Sequence, residues 1–311
     1  MRQLPKINQL QAFQAVIQHG SIRAAAKALK QTQPALTRTM KELEHIMGTP
    51  LLIRGSFGVT LTDAGKAFAS RSNLILEEMQ RATEEIQLIQ KISQGSVAFG
   101  VSPILAISLL PKIIHEFSQK QPATKITIED AQLPVHLPRL REGKLDFVIG
   151  IQSDDVSLSE FIVEPLFTAE FGVIARQNHP YAKCTSFSDL LDAKWWLTDA
   201  NIGFFKKIEE QLPYFRLQQS KIAVRSDSLV CGLPLLMHSD YLGILSTIRV
   251  KLSEYANQLC ILPLQEKLPP AHFVLIYQRK IPPTQTAQKM INLIRWHCQR
   301  YNWRPCPHSM E

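Results

Sequence analysis

The 311-residue chain contains no uninterrupted apolar run of about 18 residues, the length a spanning helix needs, so no membrane helix is expected. Its first residues form an amphipathic stretch broken by charges, without the apolar core of a signal peptide. Secretion is therefore not expected. Cysteine is scarce and unpaired. The five cysteines (Cys184, Cys231, Cys260, Cys298 and Cys306) are scattered and form no C-x-x-C, which predicts reduced thiols and a cytoplasmic location. Catalytic signatures are missing as well: there is no G-x-S-x-G, no strand-borne G-x-G-x-x-G, no P-loop and no H-E-x-x-H. No catalytic residue, metal ligand or cofactor is assigned.

What the chain does have is an ordinary soluble composition, 45% apolar and 20% charged, and enough length for two or three compact units. Its charge is uneven. Residues 1–66 hold nine basic side chains against three acidic ones, a net +6, while the rest of the chain carries only +2. A basic head on a nearly neutral body points to a polyanionic partner for the head, although small basic domains without one also exist.

Within the head, Ile7, Leu10, Phe13, Val16 and Ile17 share one helical face. Gly20 suits a helix stop and Ser21 a helix start, opening a second, alanine-rich helix. Thr32 is the next N-cap, with Pro34 in the first turn of a third helix, where a missing N–H costs little. Leu36, Met40, Leu43 and Met47 form that helix's apolar stripe and Gly48 ends it. Three short helices with a tight turn before the last predict a helix-turn-helix. The stretch "LLIRGSFGVTLT" after them predicts a β-hairpin wing.

From Thr62 onward, Phe68, Ser72, Ile75, Met79, Ala82, Ile86 and Ile89 alternate spacings of four and three. That is a heptad seam of about three repeats, polar only at Ser72, and it predicts a dimerising helix over 63–92. A surface helix packed on its own domain is the competing reading. A linker at "SQGSV" follows. Beyond it, strand-like "VAFGVS", "KITIED", "DFVIG", "EFGVIAR" and "KIAVRS" alternate with helical patterns at 104–120, 134–142 and 228–239. This predicts α/β architecture, a largely parallel sheet and two lobes.

In a helix-turn-helix the second helix of the pair enters the major groove by its N-terminal residues. Thr32, Gln33, Thr37, Arg38 and Lys41 are polar and project away from the apolar stripe, with Pro34 and Ala35 at the same end. Gln pairs bidentately with adenine and Arg with guanine, while Thr serves base or phosphate. Arg23 and Lys27 on the preceding helix and Arg54 in the wing are the expected phosphate contacts. A merely solvated face is the competing reading for any one of them.

The ordered stretch "GSIRAAAKALKQTQPALTRTMKELEHIMGTPLLIR" followed by "GVTLTDAG" resembles the LysR-type transcriptional regulators. Their pattern runs Gly-Ser-hydrophobic, paired alanines, Gln-Pro-Ala, Leu-Glu, Leu-Phe-x-Arg and Leu-Thr-x-Ala-Gly. "LLPKIIHEFSQKQP", "LREGKLDFVIG", "EPLF" and "NHPYA" extend the resemblance over nearly the whole chain. The resemblance implies a winged helix-turn-helix over 1–62, the dimerising linker helix, and an effector-binding domain over 93–311 like a periplasmic solute-binding protein. Lobe I then covers about 95–164 and 267–305, and lobe II about 165–266. It also implies a regulator, of activator type, that binds promoter DNA as a dimer or tetramer and answers to a small co-inducer. RNA polymerase is a further partner in that setting. Three positions depart from the pattern: Thr32 replaces Ser, Leu52 replaces Phe, and the wing tip "GSFG" lacks a second arginine. Within the family, "AQLPVHLPRLREGKLDFVIG" and "VEPLFTAEF" look like the activator of a threonine-dehydratase operon, suggesting an amino-acid or short-carboxylate effector.

Polar residues just after strands are the expected effector ligands, because helix starts at strand carboxyl ends present free N–H groups to an anion. Ser102, Gln132, Thr198, Asn201 and Ser226 are such residues, with Ser226 also suited to cap the next helix. An ordinary cap or loop role competes for each. Asp227 reads as a cap, since its charge would repel an anion. The tail places His297, Cys298, Cys306 and His308 close together, a composition able to bind zinc but with no recognised spacing. The alternatives to a regulator are a cytoplasmic solute-binding or enzyme-like α/β protein whose basic head is only an interaction module, and an architectural DNA-binding protein without an effector.

Overall fold

The computed structural model describes residues 4–55, 58–90, 95–198, 203–211, 222–251, 255 and 257–303. The chain divides into two compact units, Met1–Ser93 with Pro138–Lys144 and Gln94–Leu137 with Leu145–Glu311.

The first unit begins with α1 (Ile7–His19), α2 (Ile22–Ala28) and α3 (Gln33–Met47). Their punctuation is local chemistry. Gly20 and Gly48 end α1 and α3 in left-handed backbone, at φ 68° and 69°. Ser21 and Thr32 accept from Ala24 N and Ala35 N, capping α2 and α3. The turn between α2 and α3 is tightened by Gln31 N donating to Ala26 O and Lys30 N to Lys27 O. That is a Schellman arrangement in which Lys30, at φ 54°, occupies the left-handed position glycine usually fills. Phe13, Val16, Ala25, Leu36, Met40 and Leu43 pack beneath as one core. Met47, expected in that stripe, is 37% exposed because α3 ends at it.

The wing is an antiparallel hairpin of β1 (Leu52–Gly55) and β2 (Gly58–Leu61), paired Leu52 to Leu61 and Arg54 to Val59. Its tip residues 56–57 lie outside the described residues. Glu44 ties the wing to α3: its Oε1 accepts from Leu51 N at 2.9 Å and Leu52 N at 3.1 Å.

The long helix α4 (Asp63–Ile89) is capped by Thr62, whose Oγ1 accepts from Gly65 N. Gly65 is required by contact rather than by conformation, since a Cβ there would lie 2.1 Å from Leu51 O. The heptad seam is divided. Phe68 packs against Phe13 with tilted rings, centroids 5.3 Å apart, and the fully buried Ser72 accepts from Gln14 Nε2 at 2.7 Å, so these two positions belong to the core of their own unit. Ile75, Met79, Ile86 and Ile89 remain exposed by 46–69%.

The second unit holds two five-stranded sheets. One has the order β4-β3-β5-β12-β6, from β3 (Ser96–Val101), β4 (Lys125–Asp130), β5 (Phe147–Ile151), β6 (Phe161–Ala169) and β12 (Ala271–Gln278). The other has the order β11-β7-β10-β8-β9, from β7 (Phe171–Arg176), β8 (Lys194–Leu197), β9 (Ile222–Arg225), β10 (Tyr241–Ser246) and β11 (Leu259–Ile261). Each carries a parallel trio, β4-β3-β5 and β9-β8-β10, flanked by two strands in antiparallel pairing. The sheets are thus mixed rather than largely parallel. The chain passes from one to the other between β6 and β7 and returns between β11 and β12, and strands made by these crossings enter their sheets antiparallel.

Helices α5 (Pro103–Ser108), α6 (Leu110–Lys120), α7 (Leu133–Arg141) and α11 (Gln285–Arg300) accompany the first sheet. Helices α8 (Phe204–Gln211), α9 (Leu229–His238) and α10 (Ile248–Lys251) accompany the second. The helical expectation at 104–120 resolves into two pieces, α5 and α6, because Pro111 restarts the helix after Leu109. Apolar strands of both sheets, including Phe99, Phe147, Ile149, Trp195, Ile244 and Phe273, join in one core.

Candidate nucleic-acid interface and effector cleft

Residues Gln33, Thr37 and Lys41 recur every four positions along α3, as do Pro34 and Arg38, forming two adjacent rows: Pro34, Arg38 and Lys41 lie opposite buried Leu36, Met40 and Leu43, while Gln33 and Thr37 flank that buried stripe. From Thr32 to Lys41 this face runs about 14 Å at the helical rise, comparable with the width of a B-DNA major groove. Thr32, Gln33, Pro34, Ala35, Arg38 and Lys41 are exposed, and Thr37 is half-buried with its hydroxyl donated to Gln33 O at 2.8 Å. Arg38 Nε donates to Glu42 Oε1 at 2.9 Å, a surface pair 84% and 52% exposed and therefore readily exchanged for a stronger partner. Arg23 and Lys27 on α2 and Arg54 on β1 are exposed too, and among the described residues none of the three forms an ion pair.

In the second unit a cavity lies at the carboxyl ends of the parallel strands, the usual ligand position of open α/β sheets. Its polar wall comes from Ser102 after β3, Gln132 after β4, Thr198 after β8, Asp227 after β9 and Ser246 at the end of β10. Its apolar wall includes Ile104, Ile151, Phe171, Phe205, Leu245 and Phe273. The space offers ≈ 40 Å³ to the centres of water molecules.

Three of the expected effector residues, Ser102, Gln132 and Thr198, are brought together here. Ser226 is not: its Oγ accepts from Ser228 N at 3.1 Å, and Ser228, rather than Ser226 or Asp227, caps α9 by accepting from Cys231 N. Asn201 lies outside the described residues. Ser246 was missed by sequence reasoning, since "YLGILS" carries no turn or cap signal. Ser102, Thr198 and Ser246 are 3%, 6% and 3% exposed, and their hydroxyls have no hydrogen-bond partner within the protein. They are the only such buried hydroxyls among the described residues, and all three line this one cavity.

The tail composition resolves differently. His297 is buried and bonds Glu116 Oε2 at 2.8 Å, and burial pushes the Cys298 thiol up to about 12. Cys306 and His308 lie outside the described residues. Burial also raises the thiols of Cys184 and Cys260, which favours their protonated forms. No described helix is long and apolar enough to cross a membrane.

A winged helix-turn-helix, a long helix and a two-lobed α/β domain with a cleft at its strand ends define an effector-responsive DNA-binding regulator. Residues 7–66 match the bacterial regulatory helix-turn-helix protein family of lysR type, and residues 90–299 match the LysR substrate binding domain. The chain belongs to the LysR family of transcriptional regulators, which bind DNA rather than catalyse a reaction. It is 31% identical over 293 residues to the HTH-type transcriptional regulator TdcA of Escherichia coli (strain K12), covering 94% of this chain and 93% of that one. In structure it resembles full-length OxyR C199D of Pseudomonas aeruginosa, with a TM-score of 0.68 at 20% identity over 96% of each chain. It also resembles CbnR, a LysR family transcriptional regulator, with a TM-score of 0.67 at 18% identity over 94% of this chain and 99% of that one.

Proposed function

We propose that α3 reads promoter DNA through Gln33 and Arg38, with Thr32, Pro34, Ala35, Thr37 and Lys41 completing the groove surface. Arg23, Lys27 and Arg54 serve as phosphate contacts. The observation that carries this reading is the exposed polar face of α3 above an apolar, fully packed base. A small anionic metabolite, an amino acid or short carboxylate, binds in the cleft near Ser102, Gln132 and Thr198 and modulates promoter binding or activation. The 31% identity to the transcriptional regulator TdcA supports the regulator reading, and the resemblance of "AQLPVHLPRLREGKLDFVIG" and "VEPLFTAEF" to the activator of a threonine-dehydratase operon supports an activator, with RNA polymerase as a partner at the promoter. Self-association through the exposed Ile75, Met79, Ile86 and Ile89 of α4 supplies the second DNA-binding head.

Genome-wide mapping of bound DNA should return a small set of promoters, and binding to them should weaken steeply between about 50 and 200 mM salt as counterions are released. Binding that barely responds to salt would overturn the electrostatic part of this reading.

A further inference from the structure

We infer that the cleft is built for a short aliphatic monocarboxylate held by neutral hydroxyls alone, with Ser246 as a binding residue beside Ser102 and Thr198. The inference rests on the effector reading above and narrows it to a chemical class.

Three observations converge. Buried polar groups are almost always paired, so three buried hydroxyls facing one cavity without protein partners are held for an exchangeable one. Each hydroxyl can donate one bond, and a single carboxylate, with about four lone-pair sites, accepts all three. The charge of the wall sets a limit. No lysine, arginine or histidine is among the described lining residues, while Asp227 adds a carboxylate to the rim. The Arg225 guanidinium reaches the backbone oxygen of Thr198 at 3.5 Å but is not among the described lining residues. Hydroxyls can hold one negative charge, but a dicarboxylate or a phosphate would bury a second charge with no cation to meet it. Size and polarity set the rest. Eight of the thirteen described lining residues are apolar. A space of ≈ 40 Å³ for water centres holds on the order of three waters, which a carboxylate on about two to four carbons would displace. Aromatic acids are too large for it.

The test is calorimetry and thermal shift on the full-length protein with acetate, propionate, butyrate, hexanoate, succinate, inorganic phosphate and benzoate. Propionate or butyrate is expected to bind and raise the melting temperature, with hexanoate and benzoate weaker by at least ten-fold and succinate and phosphate silent. Ser246→Ala and Thr198→Val should keep or slightly raise the ligand-free melting temperature, because each removes an unpaired buried hydroxyl, yet lose about ten-fold in affinity. A structural role for these hydroxyls would instead lower the ligand-free stability and leave the affinity unchanged. Silence from every monocarboxylate, or tighter binding of succinate, phosphate or benzoate, overturns the assignment of class. Failure of the effector reading itself looks different: a monocarboxylate binds, sensitive to Ser246→Ala, and the protein's DNA footprint does not change.

Discussion

The polar residues proposed for DNA contact on and just before α3 lie within ten consecutive positions, Thr32 to Lys41, and nearly all are exposed. Those of the cleft come from the ends of separate strands, β3, β8 and β10, and Ser102, Thr198 and Ser246 are buried. The first set needs only one helix with a packed underside to be displayed. The second exists only after two sheets have formed and their crossings have brought their carboxyl ends to one cavity. A surface meant for a large polyanion can be flat and local, whereas a site for a few atoms must be concave and assembled from distant chain.

That contrast can be broken first from below. Leu36→Ala removes a fully buried side chain of α3 and should destabilise the N-terminal unit by about 2–5 kcal/mol. In urea unfolding followed by separate probes, the α/β unit should keep its midpoint; a common shift would mean the two units unfold as one. Next in size, Gln33→Ala and Arg38→Ala should each cost about 1–3 kcal/mol of discrimination between promoter and random DNA. An equal loss on both DNAs would reassign the residue to phosphate. Glu44→Gln keeps one acceptor for Leu51 N and Leu52 N but removes the charge, and should cost about 1 kcal/mol and loosen the wing. Amide exchange at Leu51 and Leu52 would report it, and unchanged protection would deny Glu44 that role.

The smallest effect is expected from pH. His136 and His179 are buried, and burial is the largest cause holding both below the ordinary value of 6.5. Folding therefore favours their neutral forms. Their contribution is complete above pH 6.5 and is lost as pH falls through that value toward their lower folded pKa values. Acidification to pH 5 should therefore lower the melting temperature of the α/β unit, and an unchanged value would deny His136 and His179 that role.

Much of the DNA-binding unit was legible because its signals are short-range. Gly20, Ser21, Thr32, Gly48 and Thr62 each act on a neighbour within four residues, and each does in the structure what its type predicts. The seam of α4 is periodic in the sequence, but periodicity does not say which positions meet the chain's own core. Phe68 and Ser72 do so only because Phe13 and Gln14 come to them from α1. Ser226 shows the same limit: a serine after a strand can face a ligand or close a local turn, and here Ser228 N takes its hydroxyl.

By itself the sequence determined the family, the helix-turn-helix with its wing, the polar positions of α3 and the alternation of strands and helices in the α/β part, since these follow from periodicity, capping and ordered motifs. Only the tertiary structure decided that the sheets are mixed, that Glu44 anchors the wing, and that Ser246 joins Ser102 and Thr198. Those facts depend on which distant backbone lies alongside which, and hydrogen-bond pairing between strands far apart in the chain leaves no mark in the local pattern of residues.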